Sequence, residues 1–320
     1  MAAATNPPSL THRIAPINFQ LAIPDSSISD QQTKRDKSIK IAQFARASSI
    51  FRVRKIYIYH DPTSNIDKYD PYLLKTILGY LDTPQYLRRK LYRLTPELQY
   101  AGILHPIKAP HHKKYENIKS IKAGELRVGV VVKFKGTLHV DVGLGVMIPC
   151  ERISATEEGK KVNVKFVSAY PKLKATKASA DDISSNYWGY EVEQVSRLGG
   201  FLKETKDKKN TEIMITSRDG RFFKNTESDL IRSLMSVRNL LIVFGAPKSG
   251  VEQILLREGQ TTDAYKFTVN MFPFQGTETV RLEEAIFGTL AILNNLLSDN
   301  STSATVGTNT TATTTNNNST

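Results

Sequence analysis

The chain of 320 residues contains one cysteine, Cys150, one tryptophan, Trp188, and six histidines. A single cysteine excludes an internal disulfide, a zinc ribbon and a CxxC redox pair. The histidines are scattered. Only His111 and His112 are adjacent, too close to act as a ligand pair on one helix face, so no metal site is expected. No apolar run approaches the roughly 20 residues that span a bilayer, so no membrane association is expected. Met1–Pro16 lacks the charged, apolar and small-residue order of a secretion signal. The expectation is therefore a reducing intracellular compartment, and the sequons at Asn300, Asn309 and Asn318 are read as coincidental. A Rossmann GxGxxG and a nucleophile elbow are also absent.

What the chain does have is positive charge, with 44 Lys+Arg against 31 Asp+Glu. It is concentrated. Between Tyr86 and Lys177 there are 19 Lys+Arg and 7 Asp+Glu, so this segment carries +12 of the formal +13. The clusters are Arg88-Arg89-Lys90 with Arg93, then Lys113-Lys114, then Lys172, Lys174 and Lys177, with Tyr86, Tyr92, Tyr115, Phe134, Phe166 and Tyr170 interleaved. Cations that release condensed counterions, beside rings that can stack on bases, point to a nucleic acid partner, against the plainer reading of a solvated basic face. Arg88, Arg89, Lys90, Arg93, Lys113, Lys114, Lys172 and Lys174 are the candidate contacts.

Periodicity divides the chain. Strands are expected at Ile17–Ala22, Val53–Tyr59, Glu212–Thr216, Leu240–Phe244 and Lys266–Asn270. Helices are expected at Ile39–Phe51, Pro71–Leu81, Thr226–Val237 (with Thr226 as a candidate N-cap) and Leu282–Leu297. The basic segment reads instead as β-rich over Glu125–Phe134, Thr137–Ile148 and Lys161–Ala169, punctuated at Lys135-Gly136 and Glu158-Gly159, as short strands joined by tight turns. A five-stranded OB-like barrel fits its length and charge. From Asp299 onward the chain is nearly all Ser, Thr and Asn, a composition expected to stay disordered. The expected plan is a flexible segment 1–16, an α/β domain from 17–85 and 178–298, an inserted basic β-module 86–177, and a disordered tail 299–320.

Two loops carry chemistry. Gly245-Ala-Pro-Lys-Ser-Gly250 follows an expected buried strand, where α/β sheets bind ligands. It is no P-loop, because Lys248-Ser249 precede the final glycine rather than follow it. The second loop, Asn270–Val280, is rich in Pro, Gly, Gln and Thr and enters a helix whose first turn holds Glu283 and Glu284. It can present backbone N–H and C=O groups to a ligand, while the two glutamates complement the helix dipole.

These loops, FGAPKSG and N-x-x-P-x-QG-x-x-TVR-x-EEA, together with Trp188-Gly189-Tyr190-Glu191-Val192 and the helix Ala45-Arg46-Ala47-Ser48-Ser49-Ile50-Phe51, resemble SPOUT-superfamily RNA methyltransferases. The likeness is to the eukaryotic–archaeal branch with an inserted OB-like domain, and it spans about Ile17–Leu297. The resemblance implies a C-terminal trefoil knot that holds S-adenosylmethionine. By position it implies a cofactor wall of Thr216, Gly245, Ala246, Pro247, Asn270, Pro273, Gln275, Gly276, Thr277 and Val280. It also implies roles for Arg46 in orienting phosphate or ribose, for Arg281 in holding a phosphate or the cofactor carboxylate, and for Glu283 and Glu284 as base candidates. The implied protein is a nuclear, nucleolar enzyme acting on ribosomal or pre-ribosomal RNA, as a homodimer or paired with a paralogue. The residues after the WGY motif, Glu191, Glu193 and Gln194, depart from the basic residue expected there. The rival reading is a non-catalytic RNA-binding assembly factor that keeps the fold as a dimer scaffold.

Overall fold

The computed structural model of the chain describes residues 17–302 except 66, 114–116 and 185. The expectations for residues 1–16, for Lys114 and for the tail beyond residue 302 lie outside them. In chain order the elements are β1 (Asn18–Pro24), α1 (Lys34–Ile50), β2 (Lys55–His60), α2 (Asp70–Asp82) and α3 (Gln85–Leu91). Then come β3 (Leu126–Phe134), β4 (Thr137–Asp141), β5 (Met147–Glu151), β6 (Lys161–Ser168), β7 (Lys174–Lys177) and α4 (Ala180–Ser184). The last third holds β8 (Glu191–Arg197), α5 (Leu198–Asp207), β9 (Thr211–Phe222), α6 (Glu227–Leu234), β10 (Asn239–Val243), α7 (Val251–Arg257), β11 (Phe267–Asn270) and α8 (Leu282–Thr302).

Six strands form one sheet in the order β11-β9-β10-β1-β2-β8, every neighbouring pair parallel. A parallel sheet is covered on both faces, so its strands are apolar on both sides, as in the continuous run Leu240–Phe244. Leu240 and Ile242 point into the core shared with α1, α2 and α8, while Leu241 and Val243 point into the core shared with α5 and α7. On α1 the Thr33 hydroxyl accepts from the Asp36 N–H at 3.1 Å, a regular N-cap. The Thr226 expectation fails. Its backbone is already helical, and its hydroxyl donates to the Phe223 carbonyl at 2.9 Å instead of capping α6. Helix α8 runs to Thr302, past the expected boundary at 298, while its buried apolar stripe Ile286, Leu290, Leu293 and Leu296 ends before it.

The strands from residues 126–177 close into a separate barrel in the order β3-β4-β5-β7-β6, with β5 and β7 parallel and the other contacts antiparallel. The β-rich segment Thr137–Ile148 holds β4 and the start of β5. Asp141 accepts from the Gly143 N–H at 2.9 Å, and Gly143 and Gly145 take φ of +77° and +76°, so the chain turns. The barrel has its own core of Val131, Val140, Ile148, Val164 and Phe166, and Leu87 of α3 joins Val128 and Val130 beneath it.

Barrel and sheet are clasped around Asp82, the last residue of α2. Its carboxylate accepts from Lys161 Nζ of β6 at 2.8 Å and from the Tyr190 N–H at 3.1 Å, and lies 3.2 Å from His111 Nε2. Gly189 is required here. Its φ is +84°, and a Cβ would lie 2.2 Å from Asp82 Oδ1. Trp188 Nε1 donates to Asn163 of β6 at 3.1 Å, and the Tyr190 hydroxyl to the Leu78 carbonyl at 2.9 Å. Burial would push the Asp82 carboxyl up, but the Lys161 charge and the hydrogen bonds from His111 and Lys161 outweigh it and hold the pKa at about 2.

Folded Asp82 therefore stays ionised down to about pH 2, whereas an unfolded aspartate protonates near pH 4. The clasp contributes fully above about pH 4, and its contribution disappears as pH falls through about 2. Asp82→Asn is expected to destabilise the fold by about 2 kcal/mol or more near neutrality, because Lys161 loses its partner. Urea denaturation from pH 7 downward checks this: the gap between wild type and variant must narrow below about pH 4. A gap unchanged at the lowest pH at which both fold, or none at pH 7, refutes the role.

Candidate functional site

All strands being parallel, the loops after β1, β9, β10 and β11 emerge at the same sheet edge. There they enclose a cavity of about 470 Å³. One wall is a break in β9. The partner of β11 jumps from Ile215 (opposite Thr268) to Arg221 (opposite Val269), so Thr216–Gly220 leave the ladder. Gly220 lets this excursion pass β11, since a Cβ there would lie 2.7 Å from the Val269 nitrogen. The Thr216 hydroxyl donates to the Val243 carbonyl at 2.9 Å and ties the excursion to β10.

The second wall is the turn after β10. A Cβ on Gly245 would meet the Ser249 carbonyl oxygen at 2.9 Å, so the turn closes only over glycine. Ala246 and Ser249 exchange backbone hydrogen bonds across it, and the buried Tyr59 hydroxyl donates to the Phe244 carbonyl at 2.6 Å. The Thr63 hydroxyl bonds Asp61 at 2.6 Å and lies 2.6 Å from that of Ser249, anchoring the turn to the loop after β2.

The third wall is the loop from β11 to α8. Asn270 spans it, donating to the Arg218 carbonyl at 2.7 Å and accepting from the Phe272 N–H at 2.9 Å. Gln275 Nε2 donates to the carbonyls of Thr277 and Glu278 at 2.9 and 3.0 Å, and the Thr277 hydroxyl to the Thr279 carbonyl at 3.0 Å. Helix α8 forms the floor with Leu282, Ala285 and Thr289. Thr289 is fully buried, and its hydroxyl has no hydrogen-bond partner among the described residues.

Of the expected cofactor wall, Thr216, Gly245, Ala246, Pro247, Asn270, Gln275 and Val280 line this cavity. Pro273, Gly276 and Thr277 belong to the same loop but are exposed outside it. Arg281 lines it too. Arg46, Glu283 and Glu284 instead line a second cavity, of about 630 Å³, between α1 and α8 beside Ile103–His105. Glu284 accepts from the Arg281 N–H at 2.9 Å and so caps the start of α8. Glu283 reaches Lys40 of α1 at 3.1 Å, and Lys40, only 3% exposed, holds Asp30 at 2.7 Å on its other side. Asp30 and Lys40 line the first cavity and were not among the sequence candidates. Neither were Ser217, Glu252 or Thr289. Only Thr289 had a signal, as a hydroxyl inside the apolar stripe of α8.

The basic residues divide. Arg88 is turned inward, with Nε donating to the Thr83 carbonyl at 3.0 Å and its guanidinium 4.4 Å from the Tyr80 ring centre. Lys90 pairs with Asp141. Arg89, Arg93, Lys172 and Lys174 are exposed, and Lys113 is half-buried. Among the described residues no group of three or more His, Cys, Asp or Glu could hold a metal ion, and no helix is long and apolar enough to cross a membrane.

The chain is similar to proteins from archaea and animals. A protein of Haloarcula marismortui without an assigned function is 26% identical over 288 residues, 85% of this chain and 96% of its own length. The mouse and human proteins named 28S rRNA (uridine-N(3))-methyltransferase are 28% and 27% identical, each match covering 87% of this chain and 76% and 78% of theirs. Residues 18–293 match a family model described as "Putative RNA methyltransferase". That span takes in the sheet, the barrel and both cavities, and the chain belongs to this RNA methyltransferase family.

Proposed function

We propose that the chain methylates ribosomal RNA at N3 of an unpaired uridine, with S-adenosylmethionine held in the cavity formed by the loops after β9, β10 and β11. The observation that carries this reading is the cavity itself. Its volume of about 470 Å³ suits a small-molecule ligand. Its walls are backbone-rich turns whose side chains are already committed to holding the turns, and its floor carries the fully buried Thr289 hydroxyl, unpartnered among the described residues. A mixed polar and apolar ligand such as a nucleoside joined to an amino acid satisfies that combination. Thr216, Gly245, Ala246, Pro247, Asn270, Gln275 and Val280 would hold it, with Arg281 toward its carboxylate.

When bound, S-adenosylmethionine supplies an electrophilic methyl group on a sulfonium. What the protein must do is align the acceptor and take up the N3 proton. The Asp30 carboxylate lines the cavity and is fixed by Lys40, which makes it the group this reading assigns to accept that proton. Glu283 and Glu284 remain on the second cavity with Arg46. That face exposes Ile39, Ile50 and Phe287 along α1 and α8, and a second copy of the chain is its proposed cover. The knot implied by the sequence resemblance belongs to this reading, as does an OB-like assignment for the barrel. So does the division of the chain into a core from 17–85 and 178–298 and an RNA-gripping insertion from 86–177. Action on pre-ribosomal RNA in a eukaryote would place the protein in the nucleolus.

Titration calorimetry is expected to show S-adenosylmethionine binding tighter than about 100 µM, or about −5.5 kcal/mol. Arg281→Ala, at an exposed side chain that lines the cavity, is expected to weaken it at least about tenfold with an unchanged melting temperature. Wild-type protein that binds no cofactor, alone or as a dimer, defeats the proposal.

Incubated with ribosomal RNA and S-adenosylmethionine, the protein is expected to yield N3-methyluridine by mass spectrometry of nucleosides. Asp30→Asn is expected to lower kcat by a factor of about 10² or more, with cofactor affinity unchanged. Methylation on another atom, or full activity in the variant, rejects the assignment.

Reversing Arg89, Arg93, Lys172 and Lys174 together to Glu is expected to weaken RNA binding. It should also flatten the slope of log K against log salt by about 2 to 3, at roughly 0.7 per lost phosphate contact on single strands. An unchanged slope removes the barrel from the RNA path. Arg88 is left out of the test, because its loss would disturb the end of α2.

A further inference from the structure

Next to residues that line the first cavity, two phenylalanines stand in solvent. Phe274 is 90% exposed, and its backbone is held at φ +58°, a region in which a bulky side chain is strained. Phe222, at the end of β9, is 40% exposed, and the two rings meet edge to face with centres 5.3 Å apart and planes at 66°. Both positions adjoin the cavity. Phe222 stands opposite Asn270 in the ladder and Phe274 directly precedes Gln275, and both Asn270 and Gln275 line the cavity.

A solvent-exposed aromatic pair kept in a strained loop contributes nothing to the core, so its cause must be sought in what it meets. The charges around it decide the class. Arg218, Arg221 and Lys224 lie along the same stretch of chain, but Arg218 faces Asp219 at 3.8 Å and Lys224 pairs with Glu227 at 3.0 Å. Arg221 donates to the Lys266 carbonyl at 3.0 Å. With two of the three cations opposed by carboxylates, the patch is a poor phosphate clamp and a good apolar platform. Every nucleobase offers a π-face, and stacking on an aromatic ring is tolerant of sequence.

We propose that Phe222 and Phe274 form a stacking platform for the unpaired nucleotide that flanks the methylated one in the RNA substrate. The inference rests on the proposed function. An enzyme acting on a Watson–Crick-edge atom such as N3 must take the target base out of its stack, which leaves the adjoining base without a neighbour. The ring pair adjoining the cavity replaces that neighbour and sets the strand over the cofactor loops. The phenylalanines position substrate and take no part in the chemistry.

The test is fluorescence anisotropy of a short labelled single-stranded oligouridylate with the full chain, alongside calorimetric cofactor titration and sedimentation. Phe274→Ala and Phe222→Ala are expected to weaken RNA binding about five- to hundred-fold, with cofactor affinity, melting temperature and oligomeric state unchanged. Phe274→Trp is expected to retain wild-type RNA affinity. Unchanged RNA affinity in the double alanine variant overturns the proposal. So does an equal loss in Phe274→Trp, and so does a change in sedimentation, which would make the ring pair a contact between copies of the chain. Failure of the wild-type protein to bind S-adenosylmethionine would instead strike the functional reading while leaving the stacking result legible.

Discussion

The whole site depends on one constraint: every strand of the main sheet runs the same way. A parallel strand cannot be followed by a tight hairpin, so each must be linked by a crossing segment, and all the strand-to-helix loops leave from one edge. The cavity needs only that edge and a local break. Between Ile215 and Arg221 the chain leaves its ladder with β11, and the missing Cβ of Gly220 lets it pass the β11 backbone. Filling that space would push the excursion off β11, moving Thr216 and with it the bond to Val243 that joins two of the cavity walls.

The second dependence is on Asp82. A barrel inserted between α3 and α4 could sit on its host in many ways, and the clasp selects one. It gathers a carboxylate from α2, an ammonium from β6, an imidazole from His111 and the backbone of Tyr190 in a place where unpaired charge would be costly. The WGY motif finds its physical reason here. Trp188 reaches the barrel, Gly189 leaves room for the carboxylate, and Tyr190 is tied to the end of α2. The acidic residues that follow lie on β8, the edge strand, away from both cavities.

How much was legible follows from the range of each cause. Strands such as Leu240–Phe244 and helices such as α8 are local patterns of burial, and they stand where periodicity puts them. The division of charge pointed to a separate basic β-module, and a closed barrel occupies that segment. The departure at Thr226 is local: its hydroxyl has a cap's identity but bonds backward to the Phe223 carbonyl three residues away. Strand β7 buries one side chain among lysines, α7 has only seven residues, and α5 opens on Gly199-Gly200, a pair that reads against a helix. At the site, loop residues that share one stretch of sequence were readable. Asp30 and Lys40 were not, because only the fold brings the loop after β1 against α8.

That last pairing links the two halves of the site. Lys40 is buried between Asp30, which faces the first cavity, and Glu283, which faces the second. One ammonium between two carboxylates leaves the cluster one negative charge in excess, so each acid competes for the same three donors. Moving Glu283 alters the hold on Asp30, and because Glu283 sits in the first turn of α8, the same contact adds an ion pair to the apolar packing of that helix against α1. The neighbouring Glu284 is committed to the Arg281 N–H and cannot stand in for it. The sequence Arg-Leu-Glu-Glu at 281–284 therefore serves two purposes at once, starting the helix through its second glutamate and tying it to the cavity wall through its first.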